Sequence, residues 1–532
     1  MAIKCPSCGG KMIFNVPNQG LKCRNCDNET QVDYYDLSNE AGVSKGVYSV
    51  TVYSCPNCGA ELSASDEQTA AYCSYCGSES ILTMKQGEVA KPKLIIPFKI
   101  SKEKAVRAYE KSLRYRPYVP KELKEGEYIG SFRGIYIPYL SYELDVPDNA
   151  FEFMATKSYT IGGWDYYEEY EVKVEIGGTI KGISFDASSP FDDSIAREIA
   201  PFDTTDGKEF KEAYIAGFYS DMLTTPPETY GDIAEKAAID SFYEDIGKKA
   251  GNVELVVPKE YSERKRQTGV DGYRYGVDLF PVWFLTWKKK SRVAYSVMNG
   301  QTGKLSMDIP VDKKAFFLAS GIAAVALFII FSLMPIFILP TTISWAAAVS
   351  LTVSSIAFFY EILKIYYREN HIFNIGNASV NKAEQKKEQE RRKKKAKSKI
   401  KKRFLFIMVA SFSLFIILAF FAIANVVGKV NLVIYAVTLL LHIILFIKIK
   451  DRVAKIEKKT AFIPMLFGII VLVVGLVIVI INPVYDYWYY GIAILCLLAM
   501  LANTISMINY LNYLTTRPVP DFFRREGADH GK

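Results

Sequence analysis

Eight of the nine cysteines in this 532-residue chain belong to two copies of one spacing pattern. Each copy has two CxxC pairs with fourteen residues between the pairs, and the second copy begins fifty residues after the first. The cysteines are Cys5, Cys8, Cys23 and Cys26 in the first copy, and Cys55, Cys58, Cys73 and Cys76 in the second. Two CxxC turns joined by a short hairpin supply four thiolates to tetrahedral Zn²⁺, with zinc–sulfur distances of about 2.3 Å. The pattern therefore predicts two small β zinc ribbons.

Disulfide bonding is the alternative use of these cysteines. A disulfide that closes a loop of only two residues is unusual outside redox enzymes, which favours zinc. Gly9 and Gly59 follow the first CxxC pair of each copy, where a turn around a metal requires a residue that tolerates positive φ. Four cysteines leave no open coordination position, so both zinc sites are expected to be structural.

The C-terminal part of the chain is expected to cross a membrane. No charged residue occurs from Ala315 to Tyr360, a run of 46 residues. That run is too long for one helix across a hydrocarbon core of about 30 Å and suits two. Four further uncharged stretches occur at Phe404–Gly428, Asn431–Ile447, Thr460–Tyr485 and Tyr487–Thr516. The sequence therefore predicts an all-α transmembrane region of six helices.

Lysine and arginine are unevenly divided between the two sides of this predicted region. With six spans, three segments lie on the same side of the membrane as the N-terminal part: the loops 364–403 and 448–459 and the tail 512–532. These segments carry 25 Lys and Arg residues, whereas the connections on the opposite side carry one. Loops rich in Lys and Arg stay in the cytoplasm, which also keeps zinc-binding thiols reduced. We therefore expect a multi-pass protein of the cell inner membrane with both termini cytoplasmic. The first residues lack the apolar core of a signal peptide.

The formal net charge of +8 combines two parts of opposite sign. Residues 1–311 have a net charge of −8, whereas residues 312–532 have a net charge of +16. The basic character belongs to the membrane part and is no evidence for nucleic-acid binding. Residues 386–403 carry most of it, and we expect them to bind anionic lipid headgroups or simply to fix the topology.

The pattern along the chain predicts a multidomain protein. The order is zinc ribbon 1 (1–32), a linker (33–52), zinc ribbon 2 (53–82), a cytoplasmic α+β domain with an antiparallel sheet (92–311), transmembrane helices 1–2 (315–363), a basic loop (364–403), helices 3–4 (404–447), a basic loop (448–459), helices 5–6 (460–511) and a tail (512–532). Within the α+β domain, Ser101 is predicted to cap a helix. Tyr128–Leu144 and Phe151–Ile183 are predicted as strands, Lys208–Leu223 and Gly231–Gly247 as amphipathic helices, and Asn299-Gly300 as a two-residue hairpin turn.

Histidine is too scarce for the common hydrolytic sites. The chain has three histidines, and none lies within residues 1–311. A Ser-His-Asp or Cys-His arrangement therefore cannot form in that part, and no phosphate-binding glycine motif occurs. The sequence predicts a protein that is not an enzyme.

Two other functions remain open. Ribbon 1 offers Lys4, Lys11, Lys22 and Arg24 to a nucleic acid, whereas ribbon 2 has no Lys or Arg at all, so nucleic-acid binding is disfavoured. A transporter or channel would use polar groups within the membrane, and His442 and Asn503 are the candidates.

Several segments resemble a bacterial family of multi-pass membrane proteins that contain TFIIB-type zinc ribbons. They are the two cysteine patterns, IIPFKISKEKA, FRGIYIPYLSYEL, IAPFDTTDGKEFKEAYIAGFYSD and LFPVWFLTWKKK with MNGQTGKL. The resemblance implies zinc at all eight cysteines. It also implies kinship with membrane anchors that recruit SPFH-domain and phage-shock-type proteins in envelope stress. We therefore predict a non-enzymatic adaptor or scaffold that recruits a cytoplasmic protein partner to the membrane.

Overall fold

A computed structural model describes most of the chain. The described residues are 3–34, 47–64, 73–79, 83–114, 116, 118–161, 164–191, 193–251, 253–332, 340–370, 427–453 and 463–520. Residues 404–426 of the predicted third transmembrane helix and the basic segment 386–403 lie outside these residues.

The strands of the N-terminal part, here called the head (residues 3–311), form two sheets. The strands are β1 (Met12–Asn15), β2 (Gly20–Cys23), β3 (Glu29–Thr30), β4 (Val47–Ser54), β5 (Glu61–Ala64), β6 (Thr83–Ala90), β7 (Leu94–Ile95), β8 (Arg133–Ile161), β9 (Trp164–Asp186), β10 (Lys208–Glu209), β11 (Tyr219–Asp221), β12 (Glu254–Leu255), β13 (Arg274–Lys289), β14 (Arg292–Asn299) and β15 (Leu305–Met307). A last strand, β16 (Arg517–Pro518), comes from the C-terminal end.

Within the described residues, six α-helices belong to the head and five to the C-terminal part. Those of the head are α1 (Lys102–Leu113), α2 (Gly126–Gly130), α3 (Asp193–Ile199), α4 (Glu212–Ile215), α5 (Gly231–Lys249) and α6 (Tyr261–Thr268). Those of the C-terminal part are α7 (Lys313–Ser332), α8 (Pro340–Asn370), α9 (Val427–Val453), α10 (Ile463–Ile481) and α11 (Tyr487–Leu514). Ser101 caps α1 as predicted, because its side chain accepts a hydrogen bond from the backbone N–H of Lys104.

The first cysteine pattern folds as a separate three-stranded sheet, β1-β2-β3. This sheet packs on the rest of the head through Phe14, whose ring lies 5.5 Å from that of Tyr214 and whose N–H donates to the carbonyl of Ala216. The side-chain amide of Gln19 donates to the carbonyl of Phe98 at 2.7 Å. Ribbon 1 is therefore held against the rest of the head by both apolar and polar contacts.

The second cysteine pattern belongs to the large sheet of the head. In the part of the chain that the structure describes, that sheet has thirteen strands, with a central order β10-β7-β13-β8-β11-β5-β4-β6. The connection is the antiparallel pairing of β11 with β5, in which Tyr219 lies opposite Ala64 and Asp221 opposite Leu62. Ribbon 2 therefore shares its sheet with the α+β fold, and β4 begins within the predicted linker.

The predicted antiparallel strands are present as one long hairpin of β8 and β9. Their register is continuous from Asn149 opposite Ile176 to Ile161 opposite Trp164. Helix α5 lies on one face of this hairpin, where the ring of Phe242 contacts that of Phe151 at 5.2 Å between centroids. Because β8 also pairs with β13, the hairpin is an extension of the central sheet.

Two predictions for the head are wrong. Lys208–Leu223 is not one helix, since it contains β10, the single turn α4 and β11. Gly217 lies between α4 and β11 at a φ of 88°, a conformation that a helix does not contain. Asn299-Gly300 does not form a two-residue turn, because the N–H of Asn299 bonds the carbonyl of Lys304 across a longer loop.

Four helices are long and apolar enough to cross a membrane, among the residues that the structure describes. These candidate spans are Ile343–Tyr360, Asn431–Lys450, Ile463–Ile481 and Tyr487–Leu514. They lie in α8, α9, α10 and α11. Four of the six predicted spans therefore correspond to candidate spans among the described residues. Helix α7 lies at the position of the first predicted span.

The four candidate spans pack through two apolar clusters. One cluster includes Trp345 and Leu351 of α8, Tyr435 of α9, Val471 of α10 and Ala499 of α11. The other includes Ile362 of α8, Ile449 of α9, Met465 of α10 and Tyr510 of α11. Residue numbers increase from the first cluster to the second in α8, α9 and α11 but decrease in α10. Helices α8, α9 and α11 are therefore parallel, and α10 runs in the opposite direction.

The end of α11 is attached to the head. Strand β16 pairs antiparallel with β14, so that Arg517 lies opposite Val293. The side chain of Asn512 accepts from the N–H of Val311 at 2.6 Å and donates to the carbonyl of the same residue at 2.8 Å. Because Val311 lies two residues before the start of α7, the start of α7 and the end of α11 lie at the same end of the helix bundle.

Candidate metal centres

The first four cysteines form one compact cluster. The Sγ atoms of Cys5 and Cys26 are 3.6 Å apart, and those of Cys8 and Cys23 are 3.5 Å apart. Cys5 and Cys23 are buried, whereas Cys8 and Cys26 are exposed. The cluster therefore opens to solvent on the side of its second and fourth cysteines.

The local backbone explains how each CxxC turn forms. In all four turns the residue directly after the second cysteine has a positive φ: Gly9 at 70°, Asp27 at 56°, Gly59 at 74° and Gly77 at 66°. The N–H of Gly9 donates to the carbonyl of Cys5, which closes the turn and directs both thiols inward. The glycines at two of these positions were expected. Asp27 is the exception, since the left-handed region is costly for a residue with Cβ.

The second four cysteines form a cluster that is buried throughout. The Sγ atoms of Cys55 and Cys76 are 3.7 Å apart, and those of Cys58 and Cys73 are 3.8 Å apart. A Cβ atom at Gly77 would lie 2.9 Å from the Cβ atom of Lys288 on β13. The turn therefore lies directly on the sheet.

Hydrogen bonds join the Cys73–Cys76 turn to three parts of the head. The hydroxyl of Tyr295 on β14 donates to the carbonyl of Tyr75 at 2.6 Å, and the hydroxyl of Thr286 on β13 donates to the carbonyl of Ser74. The hydroxyl of Tyr75 donates to the carboxylate of Asp221 at 2.6 Å. The Tyr75 ring also lies 5.4 Å from that of Phe284. These contacts make the second centre part of the head's core.

Asp221 is a buried carboxylate next to this turn, and sequence reasoning did not identify it. Burial raises its pKa to about 6, although hydrogen bonds from Ser188, Tyr75 and the backbone N–H of Met222 partly oppose the shift. Burial also raises the pKa of the Tyr75 hydroxyl, with a contribution from the nearby Asp221. The sequence signal was weak, because Asp221 is one of many acidic residues in the head.

Both clusters fit a tetrahedral metal ion. All four Sγ atoms of each cluster lie within 4.8 Å of one another. A tetrahedron with metal–sulfur distances of about 2.3 Å has edges of about 3.8 Å, close to the sulfur–sulfur distances above. All nine cysteines are free thiols, so the disulfide alternative does not describe this structure. The eight predicted residues thus form two four-cysteine sites that could each hold a metal ion.

The cationic residues proposed for nucleic acid are not equivalent. Lys22 pairs with Asp27, with 3.0 Å between Nζ and Oδ1. Burial lowers the pKa of Lys11, and the neighbouring Arg24 lowers it further. Lys4 and Lys11 lie opposite each other in a β-bridge. The structure therefore places two of the four residues side by side, and Lys22 is neutralised by an aspartate.

The two membrane residues proposed for transport meet at one serine. Nε2 of His442 lies 3.5 Å from Oγ of Ser355, and the side-chain N–H of Asn503 donates to the same Oγ atom at 3.0 Å. All three side chains are buried. The side-chain carbonyl oxygen of Asn503 has no hydrogen-bond partner within the described part of the chain. Helices α8, α9 and α11 thus share a small polar cluster in their common core.

Comparison with known proteins finds a relative in Bacillus subtilis strain 168. The chain is similar to its uncharacterized protein YdjG, with 27% identity over 331 residues. The alignment covers 61% of this chain and 94% of YdjG. No family model matches the chain. No solved structure matches it either.

Proposed function

We propose that this protein is a non-enzymatic adaptor or scaffold that recruits a cytoplasmic protein partner to the cell membrane. One observation carries the proposal: the head is fixed to the last membrane helix through β16, which pairs with β14. A head held in this way presents its remaining surface, including the open side of ribbon 1, at a constant orientation to the bilayer. The kinship expected from the resemblance suggests SPFH-domain or phage-shock-type partners.

Zinc is the proposed metal of both centres. Four thiolates in a tetrahedral arrangement are the preferred ligand set of structural Zn²⁺ and leave no position for a substrate. Iron–sulfur clusters are also held by four thiolates, so metal analysis of the purified protein is needed. Two zinc ions per chain would support the proposal, and iron with sulfide would contradict it.

A topology of six spans is supported by the directions of the helices. Consecutive spans must alternate in direction, yet α8 and α9 are parallel. An additional crossing between residues 370 and 427 would reconcile them, and the uncharged stretch Phe404–Gly428 is long enough to provide it. Likewise, α7 starts at the end of the bundle where α11 finishes, so α7 must cross before α8 can run parallel to α11. The excess of Lys and Arg in 364–403 and 448–459 favours a cytoplasmic location for the head.

Transport is the second candidate function, because of the cluster of His442, Ser355 and Asn503. Buried polar groups in a membrane bundle serve either to join helices or to line a path. A solute flux that is lost in His442→Ala while the head stays folded would favour transport.

Affinity purification from native cells tests the adaptor proposal. The full-length protein would be compared with Cys26→Ser, which removes an exposed ligand of ribbon 1, and with Glu79→Gln as a surface variant of ribbon 2. Parallel nuclease treatment separates protein partners from nucleic acid. A protein that is lost with Cys26→Ser, kept with Glu79→Gln and unaffected by nuclease would support the proposal. Recovery that depends on nucleic acid would contradict it.

A further inference from the structure

One face of the β8–β9 hairpin is largely apolar or aromatic over its outer half. Cross-strand pairs on this face are Phe151 with Val174, Phe153 with Val172, Ala155 with Tyr170, Lys157 with Glu168, and Tyr159 with Tyr166. Helix α5 covers the first part of the face, where the rings of Phe153 and Tyr243 lie 5.5 Å apart. Since side chains alternate between the two faces of a strand, the aromatic residues farther along share the face that α5 covers.

Helix α5 does not extend to the outer end of the hairpin. Helix α5 finishes at Lys249, and β12 pairs with β8 only as far as Thr156. Four aromatic side chains lie exposed on the same face, with Tyr170 opposite Ala155 and the other three farther along, and we call them the aromatic face: Tyr159, Trp164, Tyr166 and Tyr170. Trp164 is 76% exposed. The rings of Tyr159 and Tyr166 stack with 5.5 Å between their centroids, so these two side chains pack against each other.

One charged pair interrupts the aromatic face without dividing it. The carboxylate of Glu168 accepts hydrogen bonds from the hydroxyls of Tyr159, at 2.7 Å, and Tyr170. These bonds hold two of the four aromatic side chains in place and use both carboxylate oxygens. The rings therefore form one continuous surface around a carboxylate that already has partners.

The opposite face of this overhang has a different composition. Ser158, Glu169 and Glu171 alternate with the residues of the aromatic face and are exposed or half-buried. Tyr167 is the one aromatic residue on the opposite face among those described, and it is 71% exposed. The aromatic character is therefore concentrated on the face that continues from α5.

A cavity lies where α5 ends and the aromatic face begins. Its volume is about 440 Å³, and Tyr170, Val172 and Val174 form its hairpin side. Three lysines and one glutamate also line it, namely Lys157, Lys173, Lys249 and Glu171. The cavity thus combines an apolar floor with a charged rim, in which Lys173 is paired with Glu152 at 3.0 Å and with Glu171 at 3.4 Å.

The hairpin points away from the membrane end of the head. The end of β13 at Lys289 adjoins β14, which carries β16 and the last membrane helix. Strand β8 pairs antiparallel with β13, with Arg133 opposite Phe284 and Glu143 opposite Arg274. Increasing residue number along β8 therefore leads away from that end, so the bilayer is not the expected occupant of the aromatic face.

We propose that the aromatic face binds an amphipathic helix of the protein partner, placed end to end with α5 along the hairpin. The inference rests on the adaptor function proposed above. The main argument is that the aromatic face continues the surface on which α5 packs. That surface already binds one helix through aromatic rings, and only its outer part is uncovered. Trp and Tyr contribute large contact areas at low entropic cost, which suits a binding surface.

Site-specific photo-crosslinking tests the inference in the full-length protein within native cells. A benzophenone amino acid is placed at position 164 on the aromatic face or at position 167 on the opposite face. We expect position 164 to crosslink to one partner segment at residues spaced three and four apart, as on one side of a helix, and position 167 not to do so. The inference would be overturned by crosslinks to a second copy of this chain or to lipid. It would also be overturned if both positions crosslinked equally, or if neither position crosslinked.

Binding measurements separate this inference from the adaptor proposal. Trp164→Ser combined with Tyr166→Ser should weaken binding of the crosslinked partner at least about tenfold, whereas the matched control Tyr167→Ser should leave it within about twofold. All three side chains are exposed, so the variants should fold. If a partner is lost with Cys26→Ser but kept with the double variant, the adaptor function stands and the role of the aromatic face is refuted.

Discussion

The hydroxyl of Tyr295 donates a hydrogen bond to the backbone carbonyl of Tyr75, with 2.6 Å between the oxygen atoms. This bond joins the strand that carries β16 to the turn that holds two ligands of the second metal centre. Tyr295→Phe would leave a buried carbonyl without its donor, at a cost of about 1–3 kcal/mol. We expect the free energy of unfolding in urea to fall by that amount. Tyr275→Phe, at an exposed position of β13, is the control and should change it by less than about 0.5 kcal/mol.

The two metal centres should release their ions at different rates. Cys8 and Cys26 are exposed, whereas all four ligands of the second centre are buried. A chelator reaches exposed thiolates directly but needs the head to open before it reaches buried ones. We expect two kinetic phases in a colorimetric chelator assay, and Cys23→Ser should abolish only the fast phase. A single phase for both ions would contradict the difference in burial.

Stability should depend on pH through Asp221. Because its pKa is raised to about 6, the folded protein keeps a proton that the unfolded chain releases near pH 4. The residue therefore stabilises the fold in acid, and this contribution, up to about 3 kcal/mol, is lost as the pH rises through about 6. Asp221→Asn retains an acceptor for Tyr75 and should flatten the profile. Most of this loss falls between about pH 4 and 6, so urea unfolding between about pH 5.5 and 7.5 with zinc in excess should detect its last part, about 1 kcal/mol. Equal profiles for both proteins would exclude Asp221 as the source.

Arg292 should hold the last membrane helix to the head. Its guanidinium donates to the hydroxyl of Thr516 at 2.6 Å and to the carbonyl of Tyr513 at 2.8 Å, and it lies over the Tyr513 ring. Hydrogen bonds from a charged donor contribute about 1.5–3 kcal/mol each. We expect Arg292→Ala to speed hydrogen exchange of the Val519 amide, which bonds the carbonyl of Ser291, at least about tenfold. Arg274→Ala on the same sheet is the control and should leave that amide protected.

Adding a methyl group should destabilise the helix bundle at one glycine of the membrane helices and have no such effect at another. A Cβ atom at Gly475 would lie 2.4 Å from a ring carbon of Tyr435, whereas one at Gly491 would meet nothing within 4 Å. Overpacking of a filled core costs about 1–3 kcal/mol. Gly475→Ala should therefore destabilise the bundle in a detergent unfolding titration, and Gly491→Ala should not. Equal effects would show that the packing of α9 against α10 is looser than described.

The metal ligands could be predicted from the sequence because the information is local. Each CxxC turn is set by residues within five positions of one another, and the two turns of a site are joined by one short hairpin. The glycines at positions 9 and 59 also predicted the positive φ of their turns. Asp27 did not, since aspartate adopts a positive φ far less often than glycine and its identity alone does not predict one.

The position of ribbon 2 within the head could not be predicted in the same way. Its link to the sheet is the pairing of Leu62 with Asp221, residues about 160 positions apart, and no pattern in either segment specifies the partner. The predicted helix over 208–223 failed for a related reason. Phe210, Ile215 and Phe218 have near-helical spacing, yet Phe210 follows β10, Ile215 ends α4 and Phe218 precedes β11, so each reaches the core separately.

The pairing of β16 with β14 has a consequence for how the protein is made. Residues 292–299 leave the ribosome more than two hundred residues before Arg517, so β14 emerges with part of one edge unpaired. That edge stays open through the synthesis of every membrane helix, during which the chain is exposed to wrong pairing with other strands. The head becomes complete only when α11 has inserted with its C-terminal end on the head's side. Closure of the sheet thus reports correct insertion of the final helix, and a truncated or inverted chain would retain an open edge that quality-control proteases and chaperones can detect.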